Sequence, residues 1–488
     1  MKKLFFLLIL PILLLPAGCG NRGDNGPRIP EVPIPEAPIY LGEEPEINPF
    51  LEVNPFYRET LTIAVILDCD LRALADLYME LNPGVVIELV SLAQLSPGQQ
   101  WWQVWQDLDF EEARDRIYRE LLDGTAPVLL TSMLAPMTMF DPNYVQEWAA
   151  DWMPLIEAHP LFTDDEWFMD VFRTAAGDDG LYFFPAGFMY DYVAVNKDFF
   201  WLTVEFDMRE SITVRDLILF YEEYGGAYLG FGIPDMLGMF VWAERWFIPE
   251  FFDFESGHVN FDSPEFIAHV EGALQAFRGM PEALMQFDPN INRQELMARY
   301  FMFNNFFGNF GTWSFAMFGL FDDCYFGYAL PLVNNDGELY IFPNNTWFLN
   351  ANTTLTQQAL ALDFVRFIKD TTIPEVWHHH SMPGRRPLGG GIPINRDMFQ
   401  RESRNSLRLQ NTIMNRSQAL LYPIDDAIEM FIERMYANIN RPFAMRRYVP
   451  GSVREHWNGL LDQLHEGLIS PDEAARNLHN HALRVIGN

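Results

Sequence analysis

The stretch Gly180–Phe200, GLYFFPAGFMYDYVAVNKDFF, constrains the fold more than any other part of the chain. Two short apolar runs, Leu181–Pro185 and Tyr192–Asn196, have the aromatic and β-branched content of strands. Pro185 lacks a backbone donor and Gly187 tolerates positive φ, so the ladder is expected to break at Pro185–Gly187. A strand that leaves one sheet through such a break and enters another carries the chain between two lobes. The second run ends in Asn196-Lys197-Asp198.

Size agrees with more than one lobe. A chain of 488 residues exceeds what one ordinary core accommodates. Its 49% apolar and 15% aromatic content is enough for a large core and for a lined cleft. The net charge of −34, with no basic tract, excludes nucleic acid as a partner, because polyphosphate would be repelled.

The N-terminus has the pattern of an export signal. Lys2 and Lys3 precede the apolar run Leu4–Leu15, followed by Pro16-Ala17-Gly18-Cys19. That run is shorter than the roughly 20 residues needed to span a bilayer. Cysteine directly after Ala-Gly resembles the bacterial lipobox, which implies a signal peptide over 1–18 and a diacylglycerol on the Cys19 sulfur. Residues 19–60 then form a lipid anchor and a proline-rich tether, extended and semi-rigid. Cys69 and Cys324 remain. They fall in different expected lobes, where a bridge would oppose lobe motion, and two free buried thiols are expected.

Beyond the tether, Leu61–Leu67 is a β run, and Leu71, Leu74, Leu77, Tyr78 and Leu81 recur at helical spacing. Asp70 is positioned to cap that helix and Asn82-Pro83-Gly84 to stop it, with Val85–Val90 as the next strand. Such a β-α-β unit predicts a parallel pair with a right-handed crossover. Phe110–Leu122 is amphipathic and Pro127–Thr131 is a strand. Thr213–Asp216 and Ser470–Glu473 are capping boxes, the second with proline at the first helical position. Asn335-Asp336-Gly337 is a turn, and Gln357–Lys369 is a helix.

These segments, in their order, resemble the ABC-transporter extracellular solute-binding proteins of family 1, the maltose- or oligosaccharide-binding type. The features that carry the resemblance are Gly180-Leu181-Tyr182 with Pro185, similar to the family's G-x-LY-x-x-P strand, then N-K-D-x-F within 180–200, and N-P-G at 82–84. Further on come F-D-S-P-E at 261–265, Gly311-Thr312-Trp313, the Gly391-Ile392-Pro393-Ile394-Asn395 connection and the Ile469-Ser470…Glu473-Ala474-Ala475 ending. Together they cover about residues 60 to 486. The resemblance implies an α/β, periplasmic-binding-protein-like fold of class II type, with two α/β lobes joined by crossover hinge strands. Lobe 1 would comprise 61–187 and 343–388, and lobe 2 would comprise 188–342 and 389–488. Leu339–Asn350 would be the second crossover.

Candidate ligand contacts follow from strand ends and from the family pattern. Asp68 and Asp70 sit where open α/β sheets bind ligands, or else they only cap the helix. Ser132 donates to a ligand or caps the next segment. Phe240 and Trp242 belong to the aromatic run 239–254, and most of those rings are expected in the core. The family's tryptophan after a small residue commonly stacks on sugar, which makes Trp313 a candidate against a packing role. Tyr190, Asp191 and Trp347, on the two crossovers, complete the set. Trp101, Trp102 and Trp105 pack under a loop or form a stacking edge. His378-His379-His380 has no ligand spacing that would let all three face one ion, so no metal is expected. No cofactor is expected either.

The implied function is capture of a small solute, a sugar or oligosaccharide, between the lobes, and its delivery to an ABC permease. The protein would be a monomer outside the cytoplasm, held to the membrane through Cys19. A ligand that contacts both lobes favours the closed state and shifts the population toward it. Other readings remain open: a non-sugar ligand, presentation of ligand to a sensor, or a glycan-active enzyme. The last needs two carboxylates at a set separation that sequence does not display. No nucleophile elbow, zincin motif or P-loop is present.

Overall fold

A computed structural model describes residues 58–67, 71–93, 109–131, 145–195, 210–213, 216, 229–231, 251–253, 256–278, 302–307, 328–334, 336–370, 372–376, 391–404, 424–445 and 451–487. In chain order the elements are β1 (Thr60–Val65), α1 (Arg72–Leu81), β2 (Val86–Ser91), α2 (Phe110–Leu122), β3 (Leu129–Thr131), α3 (Met153–Ala158), α4 (Met169–Ala176) and β4 (Phe184–Val195). There follow β5 (Ile212–Thr213), β6 (Leu229–Phe231), β7 (Phe252–Asp253), β8 (His258–Val259), α5 (Pro264–Arg278), β9 (Met302–Phe307), β10 (Tyr328–Val333) and β11 (Leu339–Leu349). The last are α6 (Leu355–Phe367), β12 (Ile392–Pro393), α7 (Ile424–Ile439), β13 (Phe443–Met445), α8 (Gly451–His465) and α9 (Pro471–Ile486).

Eleven strands form one mixed sheet with the path β2-β1-β3-β11-β10-β4-β9-β6. Strands β12, β13 and β5 attach to β4, β11 and β10, and β11 also pairs β4 directly. The expected β-α-β opening is present, with β1 parallel to β2 and to β3. The cap of α1 differs from expectation, since Leu71 is the N-cap residue and makes no side-chain bond.

Strand β4 corrects the expected break. It runs unbroken for 12 residues through Pro185 and Gly187. Pro185 is opposite Thr346 of β11. Among the described residues β4 has no partner strand on its other side there, so the missing donor interrupts no second ladder. Gly187 has no positive φ; the glycine that does is Gly180, at +109°. A Cβ there would lie 2.8 Å from Asp151 Oδ2, and Asp151 Oδ1 accepts the backbone N–H groups of Met153 and Leu181. The turn that launches β4 therefore needs glycine at 180. Instead of breaking, β4 changes neighbours. Phe184–Met189 pairs with β11, and Tyr190–Val195 pairs with β9 and, from Tyr192, with β10. Strand β11 does the same, passing from β13 and β10 at Leu339 to β3 at Trp347–Leu349.

Strand alternation sorts the side chains onto two faces. On one face, here the back, Leu61, Ile63, Val65, Leu129, Phe184, Ala186, Phe188, Tyr190, Leu339, Ile341, Trp347 and Leu349 belong to one continuous cluster. It is covered by α1, α3, α4, α6 and α7 through residues such as Tyr78, Ile156, Phe172, Leu360 and Met435. The front face carries two clusters. One gathers Ala64, Ile66, Leu130 and Phe348 under Ile117 and Leu121 of α2. The other gathers Leu330, Leu332 and Tyr340 under α5, α8 and α9, with Phe266, Trp457 and Leu478 among its members.

Helix starts agree with the sequence. Ser263 Oγ accepts Phe266 N–H at the start of α5, and Thr213 and Asp216 bond reciprocally. At α9 the Ser470–Glu473 capping box is complete. Helix α6 begins with a further one, Thr354 with Gln357.

Candidate functional site

The interval between the two front clusters lies where β4 and β11 run side by side. Phe342 packs against the α5–α8–α9 cluster, and Phe348 belongs to the α2 cluster. Between them on the front face lies Thr346, and the β4 residues facing forward are Pro185, Gly187 and Met189, paired with Thr346, Asn344 and Phe342. From Phe342 to Phe348 the strip is six residue steps along β11, about 20 Å at the usual strand rise. Phe183, packed against the α2 cluster, has its ring 6.3 Å from that of Phe348. The strip thus has aromatic rings at both ends, with Pro185, Gly187, Met189 and Thr346 between them.

Thr346 is the polar centre of that floor. It is 2% exposed, and its Oγ1 has no hydrogen-bond partner. Pro185 directly opposite offers no donor, and Gly187 has no side chain. Asn350, as deeply buried four residues later, is satisfied instead. It donates to the Ala126 carbonyl at 3.1 Å and accepts from Asn352 N–H at 2.9 Å. An orphaned buried hydroxyl is uncommon in a folded chain.

The candidates from sequence fare unevenly. Tyr190 and Trp347 belong to the back cluster, on the face opposite Thr346. The Tyr190 hydroxyl donates to Met435 Sδ at 3.0 Å and accepts from Asn438 at 3.4 Å. Burial pushes that phenol above its ordinary range. Both residues are core in this arrangement, because a period of two puts neighbouring strand residues on opposite faces. Asp191 stands in β4 opposite Phe306 of β9. Asp68, Asp70, Ser132, Phe240, Trp242, Trp313 and Cys19 lie outside the described residues, as do Cys69, Cys324, Trp101, Trp102, Trp105 and His378–His380. Thr346 was missed, and the only signal for it was a threonine in the apolar alternation of a crossover strand.

Among the described residues, the ionisable groups with large shifts are on the back instead. Burial pushes the Lys369 ammonium down to about 8 and the Glu402 carboxyl up to about 7, and each charge partly offsets this for the other. Lys369 directly follows Ile368, and Glu402 shares the helix 396–404 with Phe399, both residues of the back cluster. Two surface depressions, of about 560 Å³ beside α5 and the α8–α9 turn and about 340 Å³ around Asp151 and Asp178, include no residue of β4 or β11. Among the described residues no group of three metal-ligating side chains gathers, and no helix is long and apolar enough to cross a membrane.

No protein-family model matches the chain, and no curated protein matches it in sequence. Solved structures do. The sugar-binding protein MalE from the phytopathogen Xanthomonas citri is similar with a TM-score of 0.56 and 12% identity, over 88% of this chain and 98% of that one. An extracellular solute-binding protein of family 1 from Alicyclobacillus acidocaldarius is similar with a TM-score of 0.52 and 13% identity, over 88% and 99%. The cyclic alpha-maltosyl-1,6-maltose binding protein from Arthrobacter globiformis gives 0.51 and 13%, over 88% and 99%. What is shared at such identities is the path of the chain: this protein has the α/β periplasmic-binding-protein-like fold of these solute-binding proteins.

Proposed function

We propose that the protein is an extracytoplasmic solute-binding lipoprotein that captures a sugar or oligosaccharide and hands it to an ABC importer. The observation that carries this reading is the match in fold to sugar-binding proteins over nearly their whole length. Residues 61–187 and 343–388 form one lobe, and 188–342 and 389–488 form the other. What supports this division is the front face, where both boundaries fall within the strip, at Gly187–Phe188 and Phe342–Pro343; on the back, residues 392–399 and α7 pack in one cluster with the first lobe. The ligand lies along the strip, where aromatic rings offer sugar faces and polar groups meet hydroxyls. Asp68, Asp70, Ser132, Asp191, Phe240, Trp242 and Trp313 are the further contacts, and no chemistry is done on the ligand. The protein acts as a monomer. The export signal and Cys19 tether it to the membrane.

The mechanism needs only differential binding. A ligand that touches both lobes binds the closed state more tightly than the open one, so it shifts the population toward closure. The permease reads that form. A thermal-shift screen of the protein without its signal and Cys19 against maltose, maltotriose, cellobiose, xylobiose, chitobiose and the common amino acids tests the reading. Melting temperature should climb with sugar concentration, by linkage of binding to the folded state. A shift with amino acids and none with any sugar would overturn the sugar assignment. Loss of membrane association in Cys19→Ala tests the anchor.

A further inference from the structure

The Thr346 hydroxyl has no structural task in the strip, and that absence points to a task in binding. Among the described residues it is the one hydroxyl that is fully buried without a partner. The other orphaned groups are indole, imidazole and guanidinium nitrogens and one carboxylate oxygen. Its place is specific. On β11 it lies two residues before Phe348, the ring that closes one end of the strip, and four after Phe342, which closes the other. Across the ladder it faces Pro185, which has neither a side-chain polar group nor a backbone N–H, with Gly187 on the diagonal. Pro185 offers it no donor, and no β4 carbonyl accepts from it. Pro185 and Gly187 are buried beside it, and the Phe183 and Phe348 rings at that end of the strip lie 6.3 Å apart.

We propose that Thr346 Oγ1 is a ligand contact that selects for a hydroxyl group at the centre of the groove, resting on the sugar-capture reading above. In the ligand-free arrangement the hydroxyl is shut away from water and unpaired, which disfavours that arrangement. A polyhydroxylated ligand laid along the strip supplies the missing partner and can both donate to and accept from Oγ1. An apolar or deoxygenated ligand cannot. Thr346 therefore acts twice: it discriminates between ligands, and it makes burial of an empty strip costly compared with burial around a ligand.

The test uses Thr346→Val, which keeps the shape and removes the hydroxyl, and Thr346→Ser, which keeps the hydroxyl. Each variant is melted without ligand and titrated calorimetrically with whichever sugars of the panel bind the parent protein. Removing an orphaned hydroxyl should leave the ligand-free melting temperature of Thr346→Val unchanged or higher. Its sugar affinity should fall about tenfold, equivalent to about 1.4 kcal/mol, while Thr346→Ser stays within about twofold of the parent. Affinity of Thr346→Val within about twofold of the parent would overturn the proposal and leave sugar capture standing. A drop in its ligand-free melting temperature would also overturn it, because the hydroxyl would then serve the empty fold through a buried water. If the parent protein binds none of the sugars, the functional reading fails first and the role of Thr346 fails with it.

Discussion

The two faces of the central sheet are built from the same strands, yet they are organised differently. Behind the sheet one apolar cluster runs from β1 to β10 and α7 without interruption. In front, the apolar residues described fall into two bodies, with Pro185, Gly187, Met189 and Thr346 between them. Leu339, Ile341, Trp347 and Leu349 of β11 point back, whereas Tyr340, Thr346 and Phe348 of the other parity meet three different surroundings. The lesson is physical. One side of the sheet is continuously packed, and on the other the described apolar residues are parted by a strip with a proline, a glycine and a threonine. Two long strands with a period of two supply both sides at once.

That comparison predicts an order of effects. The largest belongs to the back. Phe188 is fully buried, edge-on to Phe168 at 5.8 Å and to Phe443 at 5.9 Å. Phe188→Ala should cost about 3–5 kcal/mol in denaturant unfolding. A loss under about 1 kcal/mol would mean that the back cluster is not continuous at β4.

A polar node also secures the back. Asp363 of α6 accepts from the Tyr78 hydroxyl at 2.6 Å and lies 3.6 Å from His159 Nε2, with Arg366 at 3.2 Å. It ties α1, α6 and the residue after α3 together. Burial alone would raise the Asp363 carboxyl, but the His159, Arg366 and Tyr78 groups outweigh burial and hold it below the usual carboxylate range. A carboxyl with a depressed folded-state pKa adds stability above its unfolded value, about 3.9. That stability is lost as pH falls through the folded value. Asp363→Asn should therefore cost about 2 kcal/mol at neutral pH, and its stability curve should approach the parent's below about pH 4. Parallel curves from pH 7 to pH 3 would show that the carboxylate's charge is irrelevant.

The smallest effect belongs to the front. Ser470 Oγ accepts Glu473 N–H at 3.2 Å, and Glu473 Oε2 accepts Ser470 N–H at 2.9 Å. Ser470→Ala should cost about 1 kcal/mol, visible as a lowered denaturation midpoint. An undiminished midpoint would separate the start of α9 from the stability of the front cluster it covers.

Much of the fold was legible in local chemistry. The α5 start around Ser263-Pro264, the α9 capping box and the parallel β1–β2 unit follow from caps, breakers and apolar period. Each depends on neighbours within a few residues. The site was far less legible. Tyr190 and Trp347 looked like ligand contacts because they are aromatic and lie on the crossovers, but alternation turned both to the back. Thr346 drew no notice for the opposite reason, since a threonine in a strand is ordinary by itself.

The sequence by itself determined several helix starts and the opening β-α-β unit, and that its apolar residues suffice for cores on both sides of a sheet. Only the tertiary structure decided which parity of β4 and β11 faces forward, that β4 passes through Pro185 without breaking, and that the Thr346 hydroxyl is left unpaired. The reason is range. Caps and periodicity act over a turn of chain, whereas the facing of a strand and the partner of a buried hydroxyl are set by residues more than a hundred positions away, such as Pro185 opposite Thr346.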